Sequence, residues 1–311
     1  MAKLFSEAKS VRLPKEKVQV NYVYTQYQDI SGVQELVTDS LTAFGEWGND
    51  YLNVWVCQND REWIDMHTRL IPDVSEYDLR SFEEPLNQIP IARMIYSTNE
   101  VQKLIGIRSE KLLKPNLLLH NNNFSKADKK AKSAFVKHEF SHKFEMDYGY
   151  FTPIMEKFKE IYFRHSPLTK NQYIIFKNIE EICDDISADE VCIDFGFKDD
   201  VFVLANYNFK SFRPSQNEIE NSKPLDWFLP VLGFSSYPVV FSHKNEEGYA
   251  TKLRKVLDEY LKKVKVIDCV ALRKDFEATF DRVRNPPHQS ELEVVYSEIV
   301  NKLNEVSRLE T

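Results

Sequence analysis

The sequence predicts an α+β fold: a small sheet, then two long helices, then a mainly helical C-terminal region. Three observations carry this reading. Short runs of aliphatic, β-branched and aromatic residues bounded by turn-formers occur in the first 120 of the 311 residues. Two long segments free of Gly and Pro follow, and three stripes of helical period close the sequence. With 42% hydrophobic residues the chain has ample material for a core, and a total of only 8 Gly suits a helix-rich protein.

Residues 1–20 carry Lys3, Lys9, Arg12, Lys15 and Lys17 and read as a solvated N-terminal tail. Ser31–Trp47 and Asp60–Leu70 have helical patterning, whereas Tyr51–Cys57, Ile89–Tyr96 and Asn116–His120 read as strands. Asn121 to Asn123 form a turn, after which Ser125 and Asp128 resemble an N-cap and its capping-box partner. The helix they open, Lys126–Met146, places Ala127, Ala131, Ala134, Phe135, His138 and His142 on one face and Val136, Phe140 and Phe144 on the opposite one. A helix apolar on two sides belongs in the interior of a domain. Lys126, Lys129, Lys130 and Lys132 are its solvated first turns.

The second such segment, Asn171–Phe195, closes on Gly196 in the position of a C-cap. Pro, Ser, Asn and Glu accumulate over Phe212–Pro224, which divides a domain at 21–212 from a helical region at 213–311. The longest apolar stretch, Trp227–Phe241, is interrupted by Pro230, Gly233, Ser235, Ser236 and Pro238. Amphipathic stripes then mark helices over Gly248–Val266, Asp268–Val283 and Glu291–Leu309, as core packing or, for the last, a partner surface.

The most informative pentapeptide is His138-Glu139-Phe140-Ser141-His142. Residues four apart on a helix share a face, so both imidazoles can reach one metal ion, with Glu139 beside them as general base. By average composition, roughly one chain in a hundred of this length shows HExxH by chance. The bland alternative is a pair of core histidines satisfied by hydrogen bonds.

A catalytic zinc site takes three protein ligands and one open position. In the second helix Ile175, Ile179, Ile182, Ile186 and Ile193 define an apolar stripe. Glu190 lies on that stripe and Asp194 at its margin; Glu181, Asp184 and Asp185 point away, and Glu180 is intermediate. A carboxylate on a buried stripe is costly unless it is paired or metal-bound. Glu190 is therefore the expected third ligand, with Glu180 or Glu181 as the fallback. Asp194, one turn on, suits an acceptor that fixes a ligand imidazole through its other N–H. The oxyanion needs a further donor, for which Tyr148, Tyr150, His165, Tyr173 and Tyr207 qualify by position.

HExxH on one helix, with Glu and, four residues later, Asp on a second, resembles the gluzincin zinc peptidases. Glu190-Val191-Cys192-Ile193-Asp194-Phe195-Gly196-Phe197 is similar to the ExxxD-then-Gly stretch of the soluble minigluzincins and of membrane-bound prenyl-protein-type peptidases, with Ile193 where Ala is usual. The metzincin extension HExxHxxGxxH is absent, since Glu145 and Tyr148 stand at its Gly and His. The resemblance covers about residues 20–205 in the order of elements. It implies a zincin-like core: a small mixed sheet whose edge strand, matched in this sequence by Asn116–His120, binds peptide substrate by strand addition. It also implies one Zn2+ ion and peptide-bond hydrolysis.

Composition narrows the rest. A net charge of −7 argues against a large nucleic-acid surface. Cys57, Cys183, Cys192 and Cys269 form no CxxC pair or disulfide framework. With no signal-like segment and no apolar run of membrane length, the expectation is a soluble, cytoplasmic metallopeptidase acting on a peptide or protein. The alternatives are a catalytically inactive zincin-fold binding protein and a helical interaction protein whose HExxH is accidental.

Overall fold

A computed structural model describes residues 7–25, 29–45, 47–48, 51–70, 91–95, 115–147, 170–212, 214–283 and 289–310. It is mixed α and β, and the chain divides into two compact units, Met1–Lys143 and Phe144–Thr311.

The first unit is built on a five-stranded sheet of β1 (Glu7–Leu13), β2 (Val18–Tyr24), β3 (Tyr51–Cys57), β4 (Ala92–Ile95) and β5 (Asn116–His120), in the order β1-β2-β3-β5-β4. β2, β3 and β5 run parallel, while β1 and β4 pair antiparallel on the outside. Parallel neighbours need a crossover. Between β2 and β3 it is α1 (Ser31–Phe44), and α2 (Asp60–Leu70) follows β3. Of the tail expected at residues 1–20, the described part, 7–20, is β1, a turn and the start of β2. Val18, Val20 and Tyr22 alternate inward while β1 stays largely solvated, as befits an edge strand bearing Lys9 and Arg12.

One sheet face carries Val20, Tyr22, Leu52, Val54, Val56, Leu117 and Leu119, all buried. On the other, Trp55, Cys57, Leu118 and Ile95 pack with Trp63, Met66 and Leu70 of α2. At about 1.5–3 kcal/mol per fully buried large side chain, α2 is held chiefly by those three anchors.

The same face also holds a polar row. Ser10 pairs with Asn21, Asn21 with Asn53, Asn53 with Asn116 and Asn116 with Ile95, one level across all five strands. Ser10 Oγ donates to Asn21 Oδ1 at 2.8 Å, Asn21 Nδ2 to Asn53 Oδ1 at 3.0 Å and Asn53 Nδ2 to Asn116 Oδ1 at 3.1 Å. Trp55 Nε1 adds a second donor to Asn116 Oδ1 at 2.9 Å, and Asn116 Nδ2 reaches the Ile95 carbonyl at 3.4 Å. Each amide passes its donor to the next acceptor, so burial leaves no rung unmatched.

After β5 the chain forms α3 (Asn121–Lys126) where a turn was expected, then α4 (Lys129–Asp147). Asp128, rather than Ser125, caps α4: its Oδ1 accepts from Ala131 N–H at 2.9 Å, whereas Ser125 Oγ donates back to the Asn122 carbonyl. The division between the units falls within α4. β5, expected as the edge strand, is interior, and among the described residues β4 is the outermost strand on that side.

The second unit is helical: α5 (Lys170–Asp194), α6 (Lys198–Ser211), α7 (Gln216–Glu220), a 3-10 turn at Pro224–Trp227, α8 (Phe228–His243), α9 (Glu247–Leu261), α10 (Cys269–Phe280) and α11 (Gln289–Ser307). Gly196 ends α5 at φ 91°, its N–H reaching the Ile193 carbonyl at 2.8 Å and Phe197 N–H the Cys192 carbonyl at 3.0 Å. This left-handed C-cap is the one expected from the sequence.

α8 is the least expected element, because its segment reads as an interrupted apolar run. Pro230 falls in the first turn, where backbone donors have no helical partner. Ser235 and Ser236 fold their hydroxyls back onto the Val231 and Gly233 carbonyls. Packed against α5, α9 and α10, α8 supplies Phe228, Val231, Leu232, Val239 and Val240 to a core shared with Ile179, Ile182 and Ile186 of α5. That core also crosses the boundary expected at 212/213, with Phe209 and Phe212 stacking edge-on to Tyr260 and Trp227. Buried Arg273 of α10 reaches Asp258 of α9 at 2.7 Å and pairs with Glu277 one turn on along its own helix.

No helix among the described residues is long and apolar enough to cross a membrane. All four cysteines are free and buried.

This packing makes two predictions. Asn53→Ala strands the Asn21 donor and removes one donor to Asn116, and is expected to cost about 2–4 kcal/mol. Urea unfolding of the purified chain reads this directly, and an unchanged midpoint would refute the ladder's role. Stability is also expected to fall in alkali. Burial pushes the Tyr22 phenol up to about 12 from 10.0, with a hydrogen bond to Thr38 opposing it, and pushes the Cys269 thiol up to about 12 from 9.0, with the Asp268 charge adding to it. The folded state thus favours the neutral forms, so their contribution is whole below the ordinary values and is lost as pH climbs towards about 12. The urea midpoint should hold from neutrality to about pH 9 and drop beyond it.

Candidate metal centre

The HExxH segment lies on α4, which has no Gly or Pro to break it and buries apolar residues on both sides. Ala131, Ala134, Phe135, Val136, Phe140 and Phe144 are all inside. His138 and His142 are each 8% exposed and Glu139 7%. The helical repeat brings the two Nε2 atoms to 3.2 Å, with ring centroids 4.7 Å apart and planes at 84°. Two imidazole lone pairs cannot face each other bare at that separation. One shared proton or one shared cation satisfies both.

Glu139 points to the sheet. Its Oε2 accepts the Met94 N–H of edge strand β4 at 2.5 Å, a charge-assisted bond to a backbone donor. Lys143, the residue after His142, is wholly buried, its Nζ donating to the Trp47 carbonyl and lying 4.7 Å from the centroid of that indole. Trp47 in turn packs edge-on to Phe140 at 4.8 Å. Lys143 gives no signal in the sequence, since a lone lysine is nearly always a surface residue.

On α5 the apolar stripe is buried at Ile179, Ile182 and Ile186 as expected, and Glu190 sits on it at 4% exposure. Its Oε1 is engaged by His243 Nδ1 of α8 at 2.7 Å, while His243 Nε2 reaches the Asp281 carbonyl at 3.3 Å. Asp194 is exposed and pairs with Lys244 at 2.7 Å. His243 carries no sequence signal either, being one histidine on a run that does not read as a helix. Asp189 is buried, Glu180 and Asp185 are half-buried, and Glu181 is exposed.

His138, His142 and Asp185 could hold a metal ion: each offers one ligand atom, and these lie within 4.8 Å of one another. Helical phase points Asp185 away from the stripe, and it does lie off the buried isoleucines. Tyr148, Tyr150 and His165 fall outside the described residues, as does the Tyr173 side chain, and Tyr207 is half-buried on α6. A scan of protein-family models and searches of known proteins and solved structures find no match to this chain.

The Glu190–His243 pair has a consequence separable from any metal. Removing one partner leaves the other buried without its counterpart. Glu190→Ala should lower the stability of the metal-free protein by about 2–4 kcal/mol, and Asp185→Ala by about 1 kcal/mol or less. Denaturant unfolding in the presence of a chelator tests both, and equal losses would contradict the assignment.

Proposed function

We propose that this chain is a zinc-dependent metallopeptidase of gluzincin type. One observation carries the reading: two buried imidazole nitrogens 3.2 Å apart, with the intervening glutamate anchored on an edge strand. Ligands about 2.0–2.1 Å from a tetrahedral zinc stand about 3.3 Å apart, so the pair needs little adjustment. His138 and His142 supply two ligands and α5 the third. Asp185 is favoured for that place because its carboxylate groups with the histidines. Glu190 remains the second candidate, on the strength of the ExxxD resemblance.

Zinc held by these residues would supply a Lewis acid and lower the pKa of a bound water to about 7. Glu139 accepts the proton of the attacking water and delivers it to the leaving amine. The Met94 N–H holds this carboxylate in register with β4. As an antiparallel edge strand, β4 offers its outer backbone groups to an extended peptide. A second reading, a zinc protein that binds peptides without cutting them, is favoured by the same bond, which already commits one Glu139 oxygen. The soluble, cytoplasmic setting and the absence of a nucleic-acid partner belong to this proposal too.

Metal analysis of the full chain, purified without added metal, is expected to give about one zinc per molecule. His138→Ala and His142→Ala should lose it, and Asp185→Ala should lose more than Glu190→Ala. Glu139→Gln should keep the metal and lose peptide hydrolysis by about a hundredfold or more. Absence of stoichiometric metal in the wild type would sink the proposal. A zinc-loaded wild type inert towards a peptide library would leave the binding reading in its place.

A further inference from the structure

In an antiparallel pair the backbone groups of successive residues point alternately towards the partner strand and away from it. The pairing of β4 with β5 fixes which is which. His120 N–H donates to the Ile91 carbonyl at 2.9 Å, and these two residues stand opposite each other, one step beyond the Ala92–Leu119 pair. Ile91, Arg93 and Ile95 therefore turn their N–H and carbonyl groups towards β5. Ala92 and Met94 turn theirs the other way, along the outer side of the outermost described strand on that side. The outer N–H of Met94 is the donor that Glu139 Oε2 accepts at 2.5 Å. Both residues belong to the first unit. The carboxylate thus occupies a group that a peptide adding to this edge needs for its own pairing.

We infer that the Met94 N–H is a positioning group with two partners in turn: it holds Glu139 while the edge is bare, and passes to a carbonyl of an extended peptide when one adds to β4. The inference rests on the reading of the chain as a zinc peptidase with β4 as its substrate edge. One N–H makes one good hydrogen bond at a time. Peptide and Glu139 therefore compete for it, and the strand that arrives as substrate releases the base that is to act on it. A molecule too short to pair with β4 leaves the carboxylate latched. Readiness of the base is in this way tied to a substrate seated in backbone register, and the bare protein keeps its carboxylate on the strand.

The test uses the full chain free of metal, so that its readouts do not depend on hydrolysis. The probe is fluorophore-labelled acetyl-Lys-Thr-Val-Thr-Val-Lys-amide, a Pro-free peptide whose central residues favour strands. Glu139→Ala is expected to bind it about tenfold more tightly than wild type, because a hydrogen bond to a charged acceptor no longer has to be given up. A second readout follows the donor itself. The chain has five methionines, so 15N-methionine labelling gives few amide signals, and Met94→Leu identifies the one at 94. That amide should exchange with solvent about tenfold faster in Glu139→Ala than in wild type, and added peptide should restore its protection. Glu139→Gln, a neutral acceptor of the same shape, should shift both readouts the same way by less, and it carries the test should the alanine variant fail to fold. Equal peptide affinity in wild type and Glu139→Ala overturns the inference, as does binding to neither. Weaker binding in the variant also overturns it, since Glu139 would then merely support the edge. None of these results touches the zinc reading, which metal content decides. A wild type without zinc whose Glu139→Ala variant still binds peptide more tightly supports the exchange of partners and overturns the peptidase reading alone.

Discussion

The first unit depends on a buried row of amides. A sheet slipped by one residue turns every side chain to the wrong face, and in β3 and β5 nearly every residue is buried, so hydrophobicity alone specifies their register weakly. Asn21, Asn53 and Asn116 remove that ambiguity, because each is satisfied only when its neighbour stands directly opposite. Trp55 and the Ile95 carbonyl close the row towards β4. Since β4 carries the Met94 N–H that holds Glu139, the position of the proposed base follows from a register fixed by the row that ends on β4 itself.

What the sequence made legible was local. Four-residue spacing on an uninterrupted helix was enough to bring the two imidazoles together, and a glycine after the α5 stripe was enough to mark its left-handed cap. β3 needed only its own run of Leu52, Val54 and Val56. The features that escaped are those that partners decide. β1 is mostly polar and becomes a strand because β2 offers a free edge. α8 carries two prolines and three serines, and is helical because α5, α9 and α10 bury it. Residues 214–283 therefore belong with α5 in one core, although their composition begins like a linker. Asp128 outcompeted Ser125 as a cap because the chain had first closed a turn of α3.

The candidate centre divides along the same line. His138, Glu139 and His142 lie within five residues, so helix geometry alone relates them. The carboxylate comes from a separate helix, where phase distinguishes faces but does not say what each face meets. Glu190 has the burial expected of a ligand, and His243 supplies another reason for it. Among the described residues it is Asp185, outward-facing by phase, whose oxygen groups with the imidazoles. An apolar stripe marks what a helix buries in its own core, and a carboxylate off that stripe can serve elsewhere.

The buried thiols have a practical side. Burial holds Cys57, Cys183 and Cys269 in the unreactive protonated form, and Cys192 is enclosed as well. A cysteine engineered onto an exposed turn would be the one fast-reacting thiol of the native protein. Spin labels or fluorophores could then be attached to the wild-type background, without first replacing four core residues and disturbing the packing under study.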